Sequence, residues 1–232
     1  MQLPEKLFSL FRKENESVSL AGAVRSSVPG APVRRPVKLN PPATRASRGL
    51  EQFFFDIRDM VGLSILDLAG ATQENINFLT NLGHKIYSQD IVRSIDEAFG
   101  PDPAEQTNPA RIEYFLKNNF DYPPDTFDGA LLWDSLQFMG PALLTATVER
   151  LAQVMRPKSY LLAFFTANER VTEVQSYAFR IIDHKTMLLA ERGMRASGQV
   201  FNNRNLEKLF GQFESVKFFL TRESLREVIV RR

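Results

Sequence analysis

Apolar positions along this chain switch repeatedly between continuous runs and a helical period. Leu63–Ala69 (LSILDLA) is a short apolar run with the pattern of a buried strand. Glu74–Leu82 puts Ile76, Leu79 and Leu82 on one helical face, and Gly83 supplies the stop. Lys85–Gln89 reads as a second strand, and Ile91–Phe99 as a helix ended by Gly100-Pro101. Arg111–Leu116 is expected to be a third strand and Gly129–Trp133 (GALLW) a fourth. In Ala142–Met155, residues Leu144, Val148, Leu151 and Met155 recur at helical spacing. Tyr160–Phe165 (YLLAFF) is apolar on both faces, as suits an interior strand. Strands alternating with helices predict a parallel sheet covered on both sides. A helix over Leu50–Met60 precedes this series. After it the rhythm changes. Gln175–Ile182 and Lys185–Ala190 flank Asp183-His184 as a hairpin, and Asn203–Phe213 is helical. Val216–Leu220 and Glu227–Val230, joined by a short polar turn, are expected to pair antiparallel.

The first 48 residues have a different character. Leu3–Phe11 has amphipathic spacing, with Leu7, Leu10 and Phe11 on one side, and Ser17–Arg48 reads as a proline-rich linker. Proline fixes its own φ and disfavours the helical region for the residue before it. The division predicted is a partly disordered arm over 1–48 and one domain over 49–232, with 166–200 capping the acceptor site. Charge follows the same boundary. The first 50 residues carry nine Lys/Arg against three acids, and the remainder twenty against twenty-four. The basic arm is suited to an acidic partner. It lacks aromatics between Gly22 and Gly49, which argues against single-stranded nucleic acid.

Composition removes several chemistries. The chain has no cysteine and only two histidines, His84 and His184, so thiol nucleophiles, disulfides and Cys- or His-rich metal sites are excluded and no metal is expected. No run of about 20 apolar residues predicts a membrane span, and no secretory leader pattern opens the sequence. A cytoplasmic compartment is the expectation.

In doubly wound α/β sheets, ligands bind beyond the carboxyl ends of the strands. After the first strand come Asp67, Ala69, Gly70, Ala71 and Thr72, small residues opening a helix whose free N–H groups suit an anion. After the second come Asp90, placed to accept both hydroxyls of a ribose, and Ile91. Asn119 and Phe120 follow the third expected strand, as an amide for a base and a ring to stack on it. After the fourth stands Asp134, placed to orient a substrate amine or act as base. His184, at the hairpin tip, becomes a second candidate base if the hairpin folds over the site. Each has a structural alternative: Asp90 as an N-cap, Phe120 as core, His184 as an exposed turn residue, Trp133 and His84 as packing and helix-end residues.

These segments resemble the class I S-adenosylmethionine-dependent methyltransferases. SILDLAGATQENINFLTNLGHKIYSQDI is similar to that family's first two motifs, and TFDGALLWDSLQFM to its fourth-strand motif. ERLAQVMRPKSYLLAFF resembles its helix, turn and fifth strand, and NRNLEKLFGQFESVKFFL its last helix and sixth strand. The resemblance spans about residues 50–232. It implies a Rossmann-like, doubly wound, seven-stranded sheet, mostly parallel with an antiparallel last strand, and S-adenosylmethionine as cofactor. It departs from the family where an acid-x-Gly-x-Gly-x-Gly loop is expected. Here Asp67-Leu68-Ala69-Gly70-Ala71-Thr72-Gln73 has lost all three glycine positions, a degenerate loop assigned to a poorly characterised bacterial branch. The Asp/Asn-Pro-Pro-aromatic signature of amino-methylating enzymes is missing after the fourth strand, which points to a small-molecule acceptor. Two readings follow: an active methyltransferase acting mainly by in-line placement of its reactants, or a catalytically inactive methyltransferase-like binding or scaffold protein. A nicotinamide-dependent oxidoreductase fits less well, for want of Gly-x-Gly-x-x-Gly.

Overall fold

Ser64–Asp67 (β2), Lys85–Ser88 (β3), Phe127–Trp133 (β4), Met155–Thr166 (β5), Ser215–Leu220 (β8) and Leu225–Arg231 (β9) form the main sheet, in the order β3-β2-β4-β5-β9-β8. These elements belong to the computed structural model of the protein, which describes residues 39–221 and 225–232. The amphipathic Leu3–Phe11 segment and the linker up to residue 38, and with them most of the basic arm suited to an acidic partner, fall outside them. β3, β2, β4 and β5 are mutually parallel, and β9 runs antiparallel to β5 and β8. The reversal of strand order about β2 and β4 is the doubly wound α/β plan.

The main sheet has six strands, not seven. The segment Arg111–Leu116, expected to be the third strand, lies within the helix Pro109–Asn119 (α4). The side chain of Asn108 accepts the amides of Ala110 and Arg111 at 3.0 and 3.2 Å, and Pro109 opens the first turn. Ile112 and Phe115, three apart, are buried, whereas Tyr114 faces solvent. The period is therefore helical.

The strands alternate between two cores. Leu66, Ala130, Leu132, Leu161, Ala163 and Phe165 face a cluster completed by Ile91–Phe99 (α3), α4, Pro141–Val154 (α5) and Asn203–Leu209 (α6). Ile65, Leu131, Trp133, Leu162 and Phe164 face the other cluster, covered by Arg48–Ile57 (α1), Gln73–Asn81 (α2) and a second sheet. That sheet has the order β1-β7-β6, with strands Ala43–Ala46, Thr186–Ala196 and Glu173–Asp183, all antiparallel. The expected hairpin is thus present, and Ala43–Ala46, read as linker, is its third strand. Phe179, Ile181, Met187 and Leu189 pack it onto the main sheet. The start of α1 is fixed by Glu227 of β9, which accepts from Ser47 Oγ at 3.0 Å and the Gly49 amide at 2.6 Å. Burial pushes the Glu227 carboxyl above its ordinary range.

Candidate functional site

The loops at the carboxyl ends of β2, β3 and β4 bring together most of the residues singled out by sequence. Asp67 ends β2 and is fully buried. Its Oδ1 accepts from Trp133 Nε1 at 2.7 Å and the Ala69 amide at 3.1 Å, and its Oδ2 from Asn75 Nδ2 at 3.1 Å. Burial pushes its pKa up, against these donors, which pull it down. Asn75 also donates to Phe179 O at 3.2 Å and accepts from the Ile181 amide at 2.7 Å, tying α2 to β6. Trp133 closes the network from β4. Its φ of +52° is rare for a bulky residue, and its ring stacks on Phe179 with centroids 4.9 Å apart.

The loop after β2 is drawn onto the end of β3. Ala69 and Asp90 form an isolated bridge, and the Gly70 amide donates to Gln89 O at 3.0 Å. Gly70 has φ +90°, and a Cβ there would lie 3.2 Å from Asp90 Cβ, so this residue must be glycine-like in both respects. Ala71 is exposed, and Thr72 caps α2 by accepting the Asn75 amide. Gln73 donates along its own helix to Asn77 at 2.7 Å and stays out of the cleft.

Asp90 caps α3, accepting the Arg93 amide at 3.1 Å. The same carboxylate receives both terminal nitrogens of Arg192 from β7, at 2.6 and 3.2 Å. Such a fork-on-carboxylate pair is strong and directional. Ile91 is wholly buried in the core beneath it. Two further pairs hold the small sheet nearby: Arg195 with Asp96 of α3, and Arg180 with Glu74 of α2.

Asp134 follows Trp133 and is 4% exposed. Its Oδ2 accepts the Tyr177 amide at 3.1 Å, joining β4 to β6. Loss of solvent is the largest influence and pushes its pKa up to about 7. The Tyr177 amide and the positive charges of Arg192 and Arg195 act in the other direction. Asp134 lines a cavity of about 280 Å³, together with Gln137, Thr166, Glu173, Phe179 and Leu189 among others. Several of these belong to the 166–200 segment expected to shape an acceptor pocket.

The remaining candidates lie elsewhere. Asn119 ends α4 and Phe120 is its C-cap, so neither follows a strand, and both lie at the amino edge of the sheet. Asn119 donates to Phe115 O at 2.8 Å within its own helix, and Phe120 is buried, its carbonyl receiving Arg150 Nε at 3.0 Å. Their expected place after a third strand is corrected with that strand. His184 is exposed at the tip of β6–β7, lining a separate cleft beside His84, Phe55 and Met60. The hairpin's open end, not its tip, reaches the strand ends. Sequence reasoning missed Arg192, Asn75 and Tyr177, whose partners Asp90, Ile181 and Asp134 are 102, 106 and 43 residues away and carry no local signal.

S-adenosylmethionine would need the Asp90 carboxylate for its ribose, close backbone approach at 69–72 and a platform for its base. In this arrangement Asp90 is taken by Arg192, the loop is bridged to Asp90, and Asn119 and Phe120 are at the opposite edge. These residues, so arranged, do not fit the cofactor. Among the described residues, no group of three or more His, Asp or Glu could hold a metal ion, and no helix is long and apolar enough to cross a membrane.

No protein-family model matches the chain, and no protein of curated function matches it. Solved structures do. One is the 1,6-didemethyltoxoflavin N1-methyltransferase of Burkholderia thailandensis, solved with 1,6-didemethyltoxoflavin and S-adenosylhomocysteine. It is 12% identical at TM-score 0.45, over 79% of this chain and 76% of that one. An S-adenosylmethionine-dependent methyltransferase from Archaeoglobus fulgidus is 12% identical at TM-score 0.46, over 79% and 93%. Another from Methanosarcina mazei is 14% identical at TM-score 0.43, over 76% and 96%. The strand order by itself defines a Rossmann-like α/β fold, and the solved structures similar to this chain include S-adenosylmethionine-dependent methyltransferases.

Proposed function

We propose that this chain is a methyltransferase-like protein that binds a small molecule in the Asp134 cavity and fills its own nucleoside position with Arg192. The observation that carries this reading is the Arg192–Asp90 pair: the acid suited to a ribose is satisfied by a side chain of the same protein. The Asp67 carboxylate is likewise engaged internally, by Trp133 and Asn75. The compartment proposed is the cytoplasm, on the absence of cysteine.

A second reading has one observation in its favour. Asp134 is a buried carboxyl with a pKa of about 7 against a cavity, a group able to take a proton near neutral pH. In that reading the protein is an S-adenosylmethionine-dependent methyltransferase acting on the cavity's ligand, and Arg192 must leave Asp90 before cofactor enters. Calorimetry with S-adenosylmethionine and S-adenosylhomocysteine on wild type, Asp90→Ala and Arg192→Ala separates the two. The proposal expects no binding by any of the three. Micromolar binding by wild type that Asp90→Ala loses would overturn it in favour of the enzyme. Binding gained only in Arg192→Ala would make Arg192 a gate.

A further inference from the structure

The charged lining of the Asp134 cavity is two carboxylates, Asp134 and Glu173, and one guanidinium, Arg45. Beyond the Tyr177 amide and its own backbone N–H, the Asp134 carboxylate receives no donor among the described residues, although it is almost wholly buried. Glu173 of β6 brings a second carboxylate to the same cavity. The cations facing Asp134 are already committed: Arg192 to Asp90 and Arg195 to Asp96. Arg45 of β1, which also lines the cavity, donates to Thr221 Oγ1 at 2.5 Å. Apolar walls come from Phe179, Val174 and Leu189. A buried carboxylate short of donors calls for a charged donor, and an aromatic wall favours the same sign of charge.

We propose that the cavity takes a small organic amine, its ammonium nitrogen on the Asp134 carboxylate and its hydrocarbon part against Phe179 and Leu189. This deepens the reading of the cavity as a ligand site and rests on it. A volume of about 280 Å³ corresponds to the space of about nine or ten liquid waters, hence a ligand of about ten non-hydrogen atoms. Binding makes Asp134 ionise, so at pH 6 the amine must first displace its proton, whereas at pH 8 it need not.

The test is a panel of arylalkylamines of about ten non-hydrogen atoms, phenethylamine first, each paired with its alcohol and carboxylate analogue. Trp133, the chain's single tryptophan, stacks on the cavity residue Phe179 and reports binding by fluorescence, with calorimetry beside it. The amine is expected to bind at least tenfold more tightly than its alcohol, with affinity rising about tenfold from pH 6 to pH 8. Asp134→Asn should lose at least tenfold for the amine and little for the alcohol. Glu173→Gln, at an exposed position, should lose about two- to fivefold and keeps the test independent of the buried substitution. Alcohol binding as tight as amine binding, or an unchanged amine affinity in folded Asp134→Asn, would overturn the amine assignment and leave the ligand site standing. Failure of every probe to bind folded wild type would overturn both.

Discussion

Asp134 ties the chemistry of the cavity to the stability of the fold. Its pKa is about 7 in the folded protein, against about 3.9 for an unfolded aspartate. Between those values the folded state holds a proton that the unfolded state has released, so stability must fall as pH rises from about 4 to about 7. The contribution of one group across that window is at most about 4 kcal/mol. Asp134→Asn keeps an oxygen for the Tyr177 amide and removes the charge. Urea unfolding should therefore show a shallower loss of stability between pH 5 and pH 8 in the variant, with the variant the more stable at pH 8. An unchanged slope would mean the carboxyl is ionised in the fold at all these values. Asp67 and Glu227 are raised by burial with the same sign and stay in both proteins.

At the scale of elements, local signals located most of the architecture and failed where two periods fit one stretch. Ile91–Phe99 matches its predicted bounds because Asp90 caps it and Gly100 ends it. Arg111–Leu116 offered Ile112, Tyr114 and Leu116 in alternation and Ile112 and Phe115 at helical spacing. The cap at Asn108 and Pro109 decides for the helix. The two patterns bury different rings, which gives a direct check. Phe115→Ala should cost about 3–5 kcal/mol, whereas Tyr114→Ala, at 69% exposure, should stay within about 0.5 kcal/mol. Thermal unfolding of the two variants measures both, and the reverse order would favour a strand. The candidate site was legible to the extent that it lies at strand ends: Asp67, Asp90 and Asp134 all sit at the carboxyl edge. What sequence could not show is that a distant arginine completes one of them. Arg192 is 102 residues from Asp90, and pairing of that range is fixed by the register of β6 with β7, not by any neighbouring residue.

For the molecule as a whole, the small sheet is both cover and wall. Phe179, Ile181, Met187 and Leu189 fill the face of the main sheet that a helix would otherwise occupy, and fully burying each contributes about 1.5–3 kcal/mol. Lifting the hairpin would expose all four, about 6–12 kcal/mol, comparable with the whole stability of an ordinary domain. Hydrogen exchange should separate the two ends of the sheet. Amides of residues 177–181 and 187–189, on either side of the exposed hairpin tip, are expected to exchange only with global unfolding, and those of 192–198 through smaller openings; equal protection of the two sets would contradict this. A hinged lid is therefore the wrong picture of access to these strand ends. Freeing Asp90 takes the swing of one guanidinium, that of Arg192 within β7, while the apolar face that holds the small sheet down stays in place.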